Sequence, residues 1–216
     1  MREPINIEIW SDFVCPFCYI GKRHFEKALE DFHPDSRVKI RWRSFQLHPS
    51  APNDPALSLY DYLASLKGQT REWSERMHEQ VTEMAARAGL TYRFDIAKVS
   101  NTLDAHRLLQ LAITRNKGDE FEERIFHAYF TEGKFLGDRD ELLSLSAQAG
   151  ISYEDSRLAL SGDNFIAEVE NDKEEAKRIG IRGVPFFLFE KKYAISGAQP
   201  IHVFREILEE VYKKSL

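Results

Sequence analysis

Residues 5–10 read Ile-Asn-Ile-Glu-Ile-Trp, so Ile5, Ile7 and Ile9 share one face while Asn6 and Glu8 share the other. A period of two predicts a half-buried strand. The alternation returns at 38–43, where Val38, Ile40 and Trp42 oppose Lys39, Arg41 and Arg43, and predicts a second strand. Between them "PFCYIGKRHFEKALEDF" carries helical spacing and starts on Pro16. Proline suits a first helical position because its missing N–H would have had no intrahelical partner. The chain therefore opens β-α-β.

From Pro49 the texture changes. "SAPNDPA" is turn-rich. Then "LSLYDYLASL", "REWSERMHEQVTEMAARAG", "NTLDAHRLLQLAITRN", "EFEERIFHAYFTEG" and "RDELLSLSAQAG" all place apolar residues at helical spacing. Gly89, Gly133 and Gly150 stand where helix C-caps belong. Asn101, with Asp104 three residues on, marks a helix start. "YEDSRLALSGD" and "NFIAEVENDKEEAKRIG" continue the helical run. Alternation then resumes in "VPFFLF" and "KYAIS", a hairpin joined through "EKK", and "PIHVFREILEEVYKK" closes as an amphipathic helix. There is no repeat of fixed period and no low-complexity tract.

Composition narrows the classes. With 43% hydrophobic and 12% aromatic residues the 216-residue chain is globular. A net charge of −5 lacks the basic footprint of a nucleic-acid binder. No apolar stretch approaches the roughly 20 residues of a membrane helix. The charged, alternating "MREPINIEIW" predicts a strand and not a signal peptide, so the expected compartment is the cytoplasm. In a reducing cytosol a C-x-x-C binds metal or does redox chemistry more readily than it forms a structural disulfide.

Both cysteines, Cys15 and Cys18, fall in "WSDFVCPFCYIGKRHF", where a strand feeds a helix. Residues i and i+3 share a helix face, so the two sulfurs can meet without unwinding it. The positive end of the helix dipole favours a thiolate at Cys15, and the thiolate is the nucleophile of disulfide exchange. Cys15 is therefore expected to be exposed and attacking, and Cys18, one turn inside, buried and resolving. The competing readings are two buried hydrophobes and a zinc site. The latter needs about four ligands, and the seven histidines supply no second pair, so no metal is expected. Pro16 and Phe17, between the cysteines, tune the thiolate. Val184-Pro185 in "IRGVPFF" enters a strand, one of the few places where a cis peptide is tolerable, although strand-entry prolines are common.

The segments "SDFVCPFCYIGKR", "WRSFQLHP", "NTLDAHRLLQLA", "HAYFTEG", "GVPFFLF" and "ISGAQP" resemble the DsbA family of thioredoxin-fold oxidoreductases, most closely its FrnE-like branch. The resemblance implies an α/β protein: a thioredoxin fold over 1–56 and 166–216 with a large all-helical insertion over 57–165. It implies that Cys15 and Cys18 are catalytic, supported by Pro16, Phe17, Val184 and Pro185. In strongly oxidising members a histidine stands where this chain has Phe17. Phe17 offers no donor or charge, so the Cys15 pKa should fall less, and the pair should be less oxidising than roughly −120 mV.

Glu8, on the strand before the active loop, is a candidate to relay the second thiol's proton, or else a solvated strand residue. Asp12 is a similar candidate, or a loop acid. The resemblance suggests that the helix bearing His106 and Arg107 faces the active site, His106 being either an interdomain or a catalytic histidine. Lys39, Arg41 and Arg43 could receive carboxylates, or form a solvated face. Phe13, Val14, Phe17 and Phe186 could form an apolar rim around Cys15.

The expected function is a thiol:disulfide oxidoreductase or isomerase acting on protein cysteines. The alternative is a glutathione-dependent transferase or isomerase of the kappa-class or 2-hydroxychromene-2-carboxylate isomerase type. Those proteins carry serine where Cys15 stands and an acid near the position of Gln199, to hold glutathione. A redox-inert binding module is the non-enzymatic alternative. The expected partner is a cysteine-containing polypeptide or small thiol, with no nucleic acid and no membrane. No cofactor is expected beyond the redox-active disulfide, with glutathione as a candidate co-substrate. Monomer and homodimer both remain open.

Overall fold

The computed structural model describes residues 4–30, 32 and 38–214. Its elements run β1 (Ile5–Ser11), α1 (Pro16–Glu30), β2 (Val38–Ser44), α2 (Leu59–Lys67), α3 (Arg71–Arg87), α4 (Leu103–Thr114), α5 (Gly118–Phe130), α6 (Arg139–Gln148), α7 (Tyr153–Leu160), α8 (Ile166–Ile179), β3 (Phe186–Phe189), β4 (Tyr193–Ser196) and α9 (Ile201–Lys214). The sheet order is β2-β1-β3-β4, with β2 parallel to β1 and β3 antiparallel to it. It is a mixed α/β molecule of thioredoxin type, in which helices α2–α7 lie between β2 and α8 in the chain.

The period-two pattern decides which helix meets which face of the sheet. Ile7 and Ile9 are wholly buried, and Ile9 stands opposite Phe187 on β3. Phe25 of α1 lies 5.5 Å from the Phe187 ring and 5.8 Å from Phe204 of α9, so α1 and α9 cover this face. The other face, with Trp10 and Leu188, packs against Ala176 and Ile181 at the end of α8. The Trp10 indole donates to the Asp172 carbonyl at 3.0 Å, so its polar edge is satisfied as its ring is buried.

Local signals place most element ends. Asn101 accepts from the Leu103 N–H at 3.0 Å, with Thr102 as the N-cap of α4, one residue later than the pattern suggests. The Phe189–Lys192 turn closes the hairpin with Glu190 and Lys191 at φ 50° and 54°, the twist a tight hairpin requires. The pattern carried α1 through to Phe32; the helix ends at Glu30, and Asp31 lies outside the described residues. α4 is buried almost all round because it packs on α5, α7, α8 and β2 at once. No described helix is long and apolar enough to cross a membrane.

Candidate active site

β1 ends at Ser11, and a four-residue loop, Asp12 to Cys15, delivers the chain to α1. The Asp12 carbonyl accepts from the Cys15 N–H, and the Cys15 carbonyl from the Cys18 N–H, both at 3.0 Å. Cys15 thus stands just ahead of Pro16, at the end of α1 where backbone N–H groups lack intrahelical partners. The Asp12 side chain pins the loop on two sides. One oxygen accepts from the Leu47 N–H at 2.8 Å and the other lies 3.3 Å from His106 Nε2.

Both thiols are free. Cys15 was expected to be exposed, yet only 3% of it is, and Cys18 is 2% exposed. Packing of α3 and its following loop over the site explains the difference: Tyr92 reaches in and donates to the Pro16 carbonyl at 2.7 Å. Cys15 instead opens into a cavity of about 320 Å³, whose wall includes Val14, Phe17, Leu63, Trp73 and Met77. Across the site the Val184–Pro185 peptide is cis, and the Cys15 thiol donates to the Val184 carbonyl at 3.4 Å. α1 can approach this turn because residue 21 is glycine. A Cβ there would lie 3.0 Å from Pro185 Cγ and 3.4 Å from the Phe187 ring.

Burial pushes the Cys18 thiol well above its ordinary range, and the neighbouring Cys15 adds to this. The Asp12 backbone and the Ser11 hydroxyl pull the other way. Burial of this kind disfavours the thiolate, the form in which a cysteine attacks a disulfide.

Beside the pair, Lys22 is 2% exposed and lies 3.1 Å from Glu123 and 3.6 Å from Asp119, with Glu26 also paired to it. Glu123 accepts from Tyr19 at 2.7 Å and from Arg23. Burial raises the Glu123 carboxyl, but hydrogen bonds from Arg23 and Tyr19 and the charge of Lys22 outweigh it and hold the group at about 2. A carboxyl lowered on folding stabilises the protein above its unfolded value, and that contribution fades as pH falls through the folded one. The stability advantage of the wild type over Glu123→Gln is therefore expected to shrink between about pH 4.5 and about pH 2, as read from urea midpoints at each pH.

The other sequence candidates divide. Pro16, Phe17, Val184 and Pro185 gather around Cys15. Asp12 and His106 meet just behind them, the His106 ring 4.8 Å from Phe13. Glu8 does not join them. Strand alternation turns it to the α8 face, away from α1, where Arg43 ties it to Asp172. Arg43 is thus an internal strut and not a receiver of substrate carboxylates, whereas Lys39 and Arg41 are exposed. Phe13 and Phe186 are not on the rim. Phe13 is core, 5.9 Å from Phe121, and Phe186 packs against Trp10 at 6.2 Å.

Sequence reading overlooked Ser11, Gly21, Tyr92 and Glu122. Glu122 did leave a signal, an acid in helical register with Ile125, Phe126 and Tyr129 on an otherwise apolar stripe. Among the described residues no group of three or more His, Cys, Asp or Glu side chains could hold a metal ion.

A C-x-x-C opening a helix after the central strand, with an X-Pro turn facing it from the antiparallel half of the sheet, is the arrangement of thioredoxin-fold oxidoreductases. The model of the DSBA-like thioredoxin domain matches residues 6–209, and the chain belongs to that family. It is 33% identical to a probable DsbA oxidoreductase from Streptomyces coelicolor, whose crystal structure superposes with a TM-score of 0.91 over 97% of this chain and 91% of that one. It is 28% identical to YwbO of Bacillus subtilis over 213 residues, 97% of this chain and 98% of that protein. The cytosolic disulfide reductase DsbM of Pseudomonas aeruginosa, 17% identical, shares the fold with a TM-score of 0.69 over 97% of this chain and 99% of that one.

Proposed function

We propose that the protein is a thiol:disulfide oxidoreductase or isomerase acting on protein cysteines through Cys15 and Cys18. The carrying observation is the asymmetric pair. Cys15 stands at the helix end beside the Val184 carbonyl and opens to a cavity, while Cys18 is buried and holds its proton. In this reading the Cys15 thiolate attacks a substrate disulfide, forming a mixed disulfide and releasing one substrate thiolate. Cys18 then attacks Cys15, forming the internal disulfide and releasing the second thiolate. Residues 1–56 and 166–216 form the thioredoxin-like part, and the helical insertion over 57–165 supplies the cavity's far wall.

One feature supports a reductase or isomerase over a strong oxidant, and a second supports a protein over a glutathione substrate. Phe17 gives Cys15 neither charge nor hydrogen bond, which suits a pair less oxidising than roughly −120 mV. The cavity wall is mostly apolar, with Lys67 its sole lysine or arginine. Such a wall fits an apolar side chain beside a substrate cysteine better than the two carboxylates of glutathione. Glutathione as the thiol partner is the second reading, favoured by the similarly folded DsbM, which has also been solved with glutathione.

The test is a Cys18→Ser trap. Mixed disulfides on Cys15 then persist and can be weighed by intact-protein mass spectrometry. Protein adducts are expected. Glutathione adducts alone would favour the second reading, and no adduct at all would defeat both.

A further inference from the structure

The cavity that Cys15 opens into has the size and lining of a ring-binding pocket. Its volume is about 320 Å³, and about 150 Å³ suffices for a benzene ring inside a packed protein. Aromatic rings line much of it: Phe17 between the cysteines, Tyr62 on α2, Trp73 on α3 and Phe94 in the loop after α3. Leu47 and Leu66, both exposed, mark its mouth.

At the end near Asp12 the wall turns polar. Tyr129 on α5 and Thr102, the N-cap of α4, line the cavity and are 2% and 4% exposed. The Thr102 carbonyl accepts from the His106 N–H at 2.9 Å, and the His106 ring reaches Asp12, which places Thr102 at this end. Among the described residues neither the Tyr129 nor the Thr102 hydroxyl has a hydrogen-bond partner. The Ser11, Ser146 and Ser156 hydroxyls are sealed in the core without partners, whereas these two remain accessible from the cavity. Other polar groups on the same wall are already engaged. The Leu47 N–H and His106 hold Asp12, His48 holds Tyr62, and the Ser100 hydroxyl donates to the Lys98 carbonyl at 3.1 Å. Burial pushes the Tyr129 hydroxyl up, and the charges of Asp12 and Tyr62 add to this. It therefore stays protonated, able to donate and to accept.

We propose that this cavity takes the phenol ring of a tyrosine next to the substrate cysteine, the hydroxyls of Tyr129 and Thr102 bonding to its own. The inference deepens the oxidoreductase reading above and rests on it. The occupant's polar end has to be neutral. Lys67, the sole lysine or arginine of the wall, is exposed, and the Asp12 charge repels a carboxylate. Among side chains, tyrosine joins an aromatic body to a neutral hydroxyl at its far end. A phenylalanine ring would fill the same space, yet it would strip water from both wall hydroxyls and leave them unpaired, which costs affinity. Tyr129 and Thr102 thus act on specificity, and the chemistry stays with the cysteines.

The test uses the reduced full-length protein and disulfide-linked dimers of short capped peptides. Each peptide carries one cysteine flanked by tyrosine, phenylalanine or alanine. Samples quenched with N-ethylmaleimide and weighed intact give the rate at which Cys15 and Cys18 lose their thiols. The tyrosine peptide is expected to react at least about tenfold faster than the phenylalanine peptide, and the alanine peptide slowest of all. In Tyr129→Phe the tyrosine-to-phenylalanine ratio should fall to within about threefold of one. Thr102→Val should lower the ratio in the same direction, and it carries the test if the first variant does not fold. General damage to the fold slows both peptides together and leaves their ratio alone, so a merely structural role does not move this readout.

Equal rates for the three peptides, or a ratio unchanged in both variants, would overturn the inference. Competition by p-cresol alongside equal peptide rates would assign the cavity to a free phenol and refute the tyrosine assignment. A wild type that fails to react even with 5,5′-dithiobis(2-nitrobenzoate) would instead sink the oxidoreductase reading itself.

Discussion

Cys15→Ser is expected to lower disulfide exchange at least about a thousandfold, equivalent to about 4 kcal/mol of lost transition-state stabilisation. A serine hydroxyl does not ionise near neutral pH and does not displace sulfur from a disulfide, so the nucleophile itself is gone. The effect should fall almost wholly on chemistry. The side chain is 3% exposed and has one polar partner, the Val184 carbonyl, which a serine hydroxyl can also reach. Folding stability should therefore stay within about 1 kcal/mol of the wild type. Dithiothreitol-driven reduction of insulin, followed alongside urea unfolding, checks both parts. Retained reduction in a folded Cys15→Ser protein would remove Cys15 from the mechanism.

Phe126→Ala is expected to cost about 3–5 kcal/mol, the largest stability loss of any single truncation at this junction. Phe126 is wholly buried, with ring centroids 5.0 Å from Tyr19 on α1, 5.8 Å from Phe13 in the active loop and 6.2 Å from Phe130 on its own helix. Three elements meet on this ring, so the space it leaves cannot close by moving one of them. The loss should stand near the top of the range for that reason. Urea unfolding followed by far-ultraviolet circular dichroism and by tryptophan fluorescence measures it. Coincident transitions would show that the active loop and the helical stretch unfold as one cooperative unit. A cost below about 1 kcal/mol would mean that the junction carries little of the fold.

Much of the molecule was legible because its signals are local. Strand alternation at Ile5, Ile7 and Ile9, the proline opening α1 and the turn at Glu190–Lys191 all act within a few residues, and each appears where the pattern places it. The cysteine pair was legible for the same reason, since its spacing and its helix are written within four residues of chain. Non-local partners were not legible. Glu8 and Asp12 looked like similar acids before the active loop. Arg43 on β2 claims one, while Leu47 and His106 claim the other.

The exposure of Cys15 was misjudged on the same grounds. A helix start is usually open to solvent, and nothing near residue 15 announces that Tyr92, 77 positions on, will close over Pro16.

By itself the sequence determined the order of strands and helices, the spacing of the two cysteines and the end of α1 on which they sit, because short-range backbone geometry and apolar periodicity decide these. The tertiary structure alone decided which partners hold Glu8 and Asp12, how the site is covered and what lines its cavity. Those outcomes depend on side chains brought together from separate elements, whose meeting is set by packing of the whole core and not by any short stretch of the chain.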